Sequence, residues 1–372
     1  MVALTRIVLA HTGDFETSLA IPWLRDKHGA EVIALTVDLG RARDLNRIRE
    51  RAMAMGAIRC HVLDARDEFA RDYILPALQA DALDEQGRPQ AAALGRALLA
   101  KKLIDIAHME GARVIAHGGS GTTCIDVSAP VIDPDISVLA PAREWTRAEA
   151  VDFARARSIP VPLEPVAFSI DHNLWGRSFA WRGTPDASQP LPHEVYTPAK
   201  SAADAAAPAA FVEIEWRSGA PAAINGVEMP LVDLIDSLET IAGVHGVGRA
   251  QAAELHRGGL VTHVAIEAPA AVVLHSAHQT LESMVTAPDL ERLKQPLSHE
   301  YARIIDNGKW CSPARSAIDA FVHSMQAKVT GVVRMKLDKG QCHVVECASP
   351  FGTGDERTAG AAAPAAPGTK YQ

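Results

Sequence analysis

Short apolar runs alternate with helical patterns through the first half of the chain. Five runs predict buried strands, at residues 6–10, 31–38, 59–63, 113–117 and 137–140. Between them, helical spacing of apolar residues predicts helices over 44–55, 67–83 and 90–110, besides one that opens at Thr17 and Ser18. Strands that alternate with helices imply a parallel sheet with right-handed crossovers. We therefore expect an α/β domain that binds ligands at the carboxyl ends of its strands.

Three polar turns follow strands at this expected edge, at residues 11–18, 36–41 and 118–126. The first reads His-Thr-Gly-Asp-Phe-Glu-Thr-Ser and leads into a helix. A strand, a turn with hydroxyls and glycine, and a helix are typical of phosphate binding, because free N–H groups at the helix start face the anion. An ordinary βα connection explains the first turn equally, and tight-turn geometry explains the glycines of the third. The residues alone leave both interpretations open.

The second half of the chain predicts an α+β domain. Residues 211–216 alternate apolar and charged side chains, as a half-exposed strand does, and 231–241 has helical periodicity. Residues 261–265 and 329–337 are also predicted to be strands. We expect 329–337 to pair with 341–346. Residues 183–209 have the composition of a linker, and 351–372 cannot bury a core and are predicted to be disordered. The predicted domains are 1–165 and 166–350, followed by a tail at 351–372.

Composition narrows the class of protein. A net charge of −8 and a pI near 6.0 exclude a basic nucleic-acid surface. No apolar run reaches membrane-spanning length, so we expect no membrane partner. The 5 cysteines are scattered and include no Cys-x-x-Cys pair, which favours a reduced, cytoplasmic protein without a zinc site.

Ordered motifs along nearly the whole chain resemble the argininosuccinate synthase family, a group of ATP pyrophosphatases that adenylate a substrate. The most specific is Ser-Ile-Asp-His-Asn-Leu-Trp-Gly-Arg-Ser at 169–178. The other matching stretches are Arg-Ile-Val-Leu-Ala at 6–10 with Thr17 and Ser18, 30–40, 115–118, 139–145, 159–162, 243–249 and 329–340.

The resemblance implies a fold, an activity and partners. The fold is a parallel-sheet ATP-pyrophosphatase domain, of the adenine nucleotide alpha hydrolase type, followed by an α+β synthetase and oligomerisation domain. The activity is an ATP-dependent carbon–nitrogen ligation, with ATP and Mg²⁺ as cofactors and small amino-acid-like molecules as substrates. We also expect a homo-oligomer, a dimer or tetramer, although the family's C-terminal helix finds no counterpart in residues 351–372.

By the same resemblance, a set of residues near the first three turns binds the nucleotide, and Glu16 in addition holds the metal. The set consists of Ala10, Thr12, Gly13, Glu16, Thr17, Ser18, Thr36, Asp38 and Gly118. One departure is serious, because Asp14 stands in place of the second glycine of the family's phosphate loop. A carboxylate a few ångströms from a phosphate costs about 1 to 4 kcal/mol. ATP binding is tolerated if Asp14 turns outward or binds magnesium, and is otherwise abolished.

The amino-acid pockets depart further from the family pattern. The resemblance assigns substrate binding to Arg96, Ser120, Ser169, Ser178 and Glu254. Three other positions of the pocket have changed chemistry: Cys124 and Ile125 replace asparagine and aspartate, and Ser128 replaces an arginine that grips a carboxylate. An arginine is the best carboxylate binder available, so its loss predicts altered specificity.

Three functional hypotheses follow. The first is a ligase of this family whose substrates differ from citrulline and aspartate. The second is a catalytically degenerate paralogue that binds a nucleotide, a metabolite or a partner protein, an interpretation that Asp14 favours. The third is a sulfur- or amide-forming relative of the same pyrophosphatase group, which the second-domain motifs disfavour.

Overall fold

The computed structural model of the chain describes residues 5–40, 44–119, 124–160, 169–183, 196, 199–255 and 261–352. The contacts divide the chain into two compact units. Unit 1 contains residues 1–69, 92–169 and 303–316, and unit 2 contains 70–91, 170–302 and 317–372. The units therefore do not simply follow chain order. The domain boundaries at 165 and 350 stay predictions, and the tail from residue 353 onward lies outside the described residues.

Unit 1 is built on a parallel sheet of five strands. They are β1 (Arg6–Ala10), β2 (Glu31–Asp38), β3 (Arg59–Asp64), β4 (Val114–Ala116) and β5 (Ser137–Leu139). The strand order is β3-β2-β1-β4-β5, so β1 lies in the centre and β2 and β4 flank it. The predicted parallel α/β architecture is confirmed. The carboxyl ends of the three central strands consequently bring the three polar turns to one edge of the sheet.

Seven α-helices occur in the described part of the first 160 residues. They are α1 (Phe15–His28), α2 (Leu45–Ala54), α3 (Arg66–Phe69), α4 (Leu75–Gln79), α5 (Ala91–Met109), α6 (Cys124–Ile132) and α7 (Arg147–Ala156). Successive side chains of β1 point to opposite faces of the sheet. Val8 lies in a core cluster with residues of α5 and α6, whereas Ile7 and Leu9 lie in a cluster with residues of α1 and α2. Because both faces are covered, the central strands β1, β2 and β4 are mostly apolar and buried.

One helix prediction and one turn prediction need correction. The helix predicted over 67–83 is interrupted by a π-helical turn at Ala70–Ile74, and α4 ends at Gln79. Pro76 lies in the first turn of α4 and has no N–H to continue the regular pattern, which accounts for the break. The third turn was predicted to run to residue 126, but α6 begins at Cys124.

Unit 2 contains two antiparallel sheets. The remaining strands are β6 (Ser169–Asn173), β7 (Gly176–Gly183), β8 (Ala210–Arg217), β9 (Ala220–Ile224), β10 (Val227–Glu228), β11 (Arg249–Leu255), β12 (Val261–Glu267), β13 (Gly331–Asp338) and β14 (Gln341–Ala348). One sheet has the order β10-β9-β8-β13-β14 and the other β11-β12-β7-β6. The predicted hairpin is confirmed, since β13 pairs antiparallel with β14. The observed sheets give the α+β architecture expected for this half.

Four longer helices complete the second half of the chain: α8 (Leu231–Val244), α9 (Pro269–Val285), α10 (Pro288–Asp306) and α11 (Pro313–Gln326). Helix α9 packs on strands β13 and β14, and its residues Val273, Leu274, Ala277 and Leu281 are fully buried. Within the described part of the chain, no helix is both long enough and apolar enough to cross a membrane.

A buried polar network joins α9, α10 and α11 inside unit 2. The Lys294 ammonium donates to one carboxylate oxygen of Glu282, and the Gln326 amide donates to the other at 2.9 Å. His278 Nε2 donates to the Gln326 amide oxygen, also at 2.9 Å. Burial lowers the pKa of His278 to about 4, so the ring is neutral at pH 7. Each member thus depends on its neighbour for a partner.

We expect Lys294→Met to destabilise the protein by about 3–5 kcal/mol, because it leaves the Glu282 carboxylate buried without its cation. The double variant Lys294→Met, Glu282→Gln removes both charges, yet keeps an acceptor for Gln326, and should recover at least half of the loss. Urea denaturation curves of the three proteins measure the free energies of unfolding. A single variant as stable as the wild type would contradict this account of the network.

Candidate nucleotide site

The first two polar turns are tied together by the backbone. After β1 ends, the His11 N–H donates to the Leu35 carbonyl of β2 at 2.8 Å. The Thr36 hydroxyl returns a bond to the His11 carbonyl, also at 2.8 Å, and both residues are buried. Thr36, a predicted nucleotide residue, therefore has a structural task in holding the turns side by side.

The third turn touches the first through Gly118. A Cβ on Gly118 would lie 2.7 Å from the Thr17 methyl group, a distance at which one of the two must move. Gly118 follows β4, and Thr17 lies in the first turn of α1. The close packing of these two residues explains the glycine without any ligand.

Asp14 caps the N-terminus of α1. Its Oδ1 accepts hydrogen bonds from the Thr17 N–H at 2.7 Å and from the Thr17 hydroxyl at 2.6 Å. Its Oδ2 accepts from the Thr12 hydroxyl at 2.5 Å. The carboxylate therefore takes three donors of the turn, including an N–H that has no partner within the helix.

Gly13 and Ser18 are also engaged inside the turn. Gly13 has a φ of +79°, which favours glycine, and a Cβ there would lie 2.8 Å from the Ile48 side chain of α2. The Ser18 hydroxyl donates to the Asp14 carbonyl at 2.5 Å. The internal geometry of the turn thus uses the glycine and the serine that the resemblance assigns to phosphate binding.

Glu16, the predicted metal ligand, forms an ion pair with Arg147 of α7. The Arg147 guanidinium donates to Glu16 Oε1 at 2.9 Å and lies 4.8 Å from the centre of the Phe15 ring. Both side chains are about two-fifths exposed, at 40% and 38%, so the pair contributes less than about 1 kcal/mol. It neutralises Glu16 but is weak enough for a divalent cation to displace.

These contacts decide how the turn fits ATP. Phosphate oxygens bound at the start of α1 would use the donors that Asp14 already occupies. The turn is complementary to an anion, and its own carboxylate is that anion. In this conformation the turn does not fit a triphosphate, because the Asp14 carboxylate takes up its donors. Among the described residues, no group of three or more His, Cys, Asp or Glu side chains is arranged to hold a metal ion.

A second polar cluster at this edge was not predicted. His117 Nδ1 accepts from the Gly119 N–H at 3.0 Å, so Nε2 carries the hydrogen and faces Asp126 Oδ1 at 3.3 Å. Arg143 binds both oxygens of Asp126, at 3.1 and 2.7 Å. Burial is the largest cause that lowers the pKa of His117, and Arg96 of α5 lowers it further. Arg96, a predicted substrate residue, therefore lies near this cluster.

His11 is a second neutral histidine at the edge. It is buried, and its Nε2 lies 3.3 Å from the Ser18 hydroxyl. Burial lowers its pKa to about 4, although the nearby Asp14 carboxylate opposes that shift. The ring therefore adds no positive charge to the turn at pH 7.

Cys124, Ile125 and Ser128, which the resemblance places in the amino-acid pocket, lie on one buried side of α6. Ile125 is part of the core beneath the sheet. The Ser128 hydroxyl donates to the Gly308 carbonyl at 2.6 Å, and the Cys124 thiol to the Asp306 carbonyl at 3.7 Å. Gly308 packs so closely that an added Cβ would lie 2.7 Å from Cys124 Cα. This side of α6 is therefore filled by the chain itself.

The other predicted residues are placed as follows. Ala10 ends β1, and Asp38 ends β2 and accepts from the Gly40 N–H at 2.9 Å. Ser178 lies on β7 opposite Ile266. Ser120 and the side chains of Ser169 and Glu254 lie outside the described residues. The structure thus gathers the predicted nucleotide residues at one edge of the parallel sheet of unit 1.

The fold and the turn define an α/β protein with a βα anion site at the edge of its parallel sheet. Two family models match the chain: the arginosuccinate synthase N-terminal HUP domain over residues 6–160 and the arginosuccinate synthase C-terminal domain over 168–361. The chain therefore belongs to the argininosuccinate synthase family.

Curated relatives agree with this assignment. The argininosuccinate synthase of Dehalococcoides mccartyi is 42% identical over 93% of this chain and 87% of its own length. That of Geobacillus thermodenitrificans is 40% identical over 95% of this chain and 89% of its own length. The similarity thus extends over both family domains.

We expect Gly118→Ala to destabilise the protein by about 1–3 kcal/mol, because the new methyl group meets the Thr17 methyl at 2.7 Å. The double variant Gly118→Ala, Thr17→Ser removes the opposing methyl and keeps the hydroxyl, and should be more stable than the single variant. Thermal denaturation compares them. A double variant no more stable than Gly118→Ala would show that the methyl contact is not the cause.

We expect Ser128→Arg to destabilise the protein by at least about 3 kcal/mol and not to create a carboxylate clamp, because it buries a charge where Ser128 contacts Gly308. Val131→Arg, at an exposed position of the same helix, is the matched control and should change stability by less than about 0.5 kcal/mol. Urea denaturation measures both. Equal stability of the two variants would mean that this side of α6 has room for an arginine.

Proposed function

We propose that this chain is an ATP-dependent carbon–nitrogen ligase of its family whose amino-acid substrates differ from citrulline and aspartate. Reactions of this class adenylate a ureido or carbonyl oxygen with release of pyrophosphate, after which an amine displaces AMP. The protein contributes by positioning the reactants and by placing donors near developing charge. The observation that carries the proposal is the packing of α6.

The argument from α6 combines the resemblance with the contacts. By resemblance, positions 124, 125 and 128 form part of the amino-acid pockets, as asparagine, aspartate and arginine. Here Cys124, Ile125 and Ser128 are buried, and the two polar ones bond to main-chain carbonyls of residues 306 and 308. Neither of these two polar side chains offers a positive charge to a substrate carboxylate. This supports a less charged substrate pair.

Other residues of the unit remain suited to a polar ligand. Arg96 lies near His117, and His117 in turn faces the Asp126 carboxylate. With Arg143 bound to Asp126, the cluster combines two cations, one carboxylate and a neutral imidazole at the carboxyl end of β4. We infer that this cluster orients the nucleotide or its acceptor, whereas α6 selects against carboxylates.

A second candidate function is favoured by the Asp14 cap. A degenerate paralogue, whether it binds a nucleotide, a metabolite or a partner protein, does not have to hold a triphosphate in position for catalysis, and here Asp14 satisfies the donors at the start of α1 internally. The two candidates differ in turnover. A degenerate paralogue releases no pyrophosphate with any substrate pair.

We expect the chain, supplied with ATP, Mg²⁺, citrulline and aspartate, to release pyrophosphate no faster than without the amino acids. A coupled pyrophosphate assay measures this, with the Geobacillus thermodenitrificans relative as the positive control under identical conditions. The same assay with uncharged ureido or carbonyl compounds and simple amines should reveal turnover. Robust turnover with citrulline and aspartate would contradict the change of specificity.

A further inference from the structure

We propose that Asp14 is an internal competitor for the phosphates of the nucleotide, so that nucleotide binds only when this carboxylate leaves the start of α1. The inference deepens the proposed function and rests on it only for the identity of the ligand. It concerns the affinity of the turn for anions, not the chemistry that follows.

The carboxylate occupies the turn as a phosphate group would. Its two oxygens accept from the Thr17 N–H, the Thr17 hydroxyl and the Thr12 hydroxyl, at 2.5 to 2.7 Å. These distances are those of charge-assisted hydrogen bonds. The positive end of the α1 dipole favours any anion at this point, whether it belongs to a ligand or to the chain. One set of donors therefore serves two mutually exclusive occupants.

Exposure makes the exchange physically possible. Asp14 is exposed, so its side chain can rotate into water without first unpacking the core. When the side chain rotates away, the turn loses its helix N-cap. This loss corresponds to a change of about five- to tenfold in the equilibrium constant between the capped and the open turn. The apparent affinity for nucleotide falls by the fraction of molecules that are open.

The other acidic side chain of the turn does not oppose phosphate in the same way. Glu16 is neutralised by Arg147, whose guanidinium lies over the Phe15 ring at the first turn of α1. Thr12 and Thr17 keep their hydroxyls directed at Asp14. Asp14 is therefore the side chain whose removal frees the donors of the turn.

The test measures nucleotide affinity directly. Calorimetric titration of the full chain with ATP and Mg²⁺ should give a dissociation constant about five- to tenfold lower for Asp14→Gly than for the wild type. Asp14→Asn keeps a good N-cap but removes the charge, and should lie between the two. Asp14→Asn also keeps the test valid if Asp14→Gly fails to fold, because helix α1 stays capped in the asparagine variant.

Asp44 offers a matched control. It caps α2 by accepting from the Arg47 N–H at 3.0 Å, the same chemistry on a helix without a phosphate turn. Asp44→Asn should bind ATP as the wild type does. A wild type that binds ATP as tightly as Asp14→Gly, or an Asp44→Asn variant that gains as much affinity as Asp14→Asn, would overturn the proposal.

Failure of this inference is distinguishable from failure of the proposed ligase. Tighter ATP binding by Asp14→Gly without pyrophosphate release from any substrate pair supports the competitor and refutes the ligase. Pyrophosphate release by the wild type, with equal ATP affinity in all variants, supports the ligase and refutes the competitor.

Discussion

The start of helix α1 imposes the constraint on which the nucleotide edge depends. The first N–H groups of any α-helix have no partner within the helix, and they must find an acceptor elsewhere. At the edge of a parallel sheet these groups point toward a crevice, and a ligand ordinarily satisfies them. Here Asp14 satisfies the Thr17 N–H and holds the hydroxyls of Thr12 and Thr17 as well. The local requirement of the helix is thereby met by the chain.

At the positions of α6 that differ from the family pattern, polar groups are likewise satisfied by the chain itself. A pocket needs polar groups that stay without internal partners until the substrate arrives, and such groups weaken the free protein. In this chain the Ser128 hydroxyl and the Cys124 thiol bond to carbonyls of residues 306–308, and Ile125 enters the core. The polar groups at these positions are therefore satisfied within the chain, and they stabilise the fold.

The sequence was a good guide to the sheet and a weaker guide to the site. Apolar runs located all five strands of unit 1, because strands of a parallel sheet that is covered on both faces carry stretches of successive apolar residues. The interruption of the helix predicted over 67–83 was harder to predict, because the spacing of apolar residues gives no sign of the break before Pro76. Helix α7 carries a capping box in which Thr146 and Glu149 bond to each other's backbone, a motif that sequence inspection can find.

The site itself was only partly accessible from the sequence. The departure at Asp14 was evident, and its spacing to Thr17 fits an N-cap, but the alternatives of an outward or metal-bound carboxylate could not be separated without geometry. The partners of Glu16 and Asp126 are remote in sequence, 131 and 17 residues away for Arg147 and Arg143, so no local pattern indicates them. Long-range pairs of this kind depend on the tertiary fold.

An aspartate in place of glycine changes the balance between the free and the bound protein. Relative to glycine, it reduces the backbone freedom of the unfolded chain and supplies an N-cap, and both effects stabilise the free protein. Groups that stabilise the free protein at a binding site commonly weaken the binding of the ligand. The stabilising N-cap and the weaker nucleotide binding that we propose therefore both come from Asp14. The contacts of α6 involve other residues, since Ser128 and Cys124 bond to the carbonyls of Gly308 and Asp306. Under the proposed function the two sets of changes are separable, because the cap concerns the binding of the nucleotide and α6 concerns the choice of the amino acid.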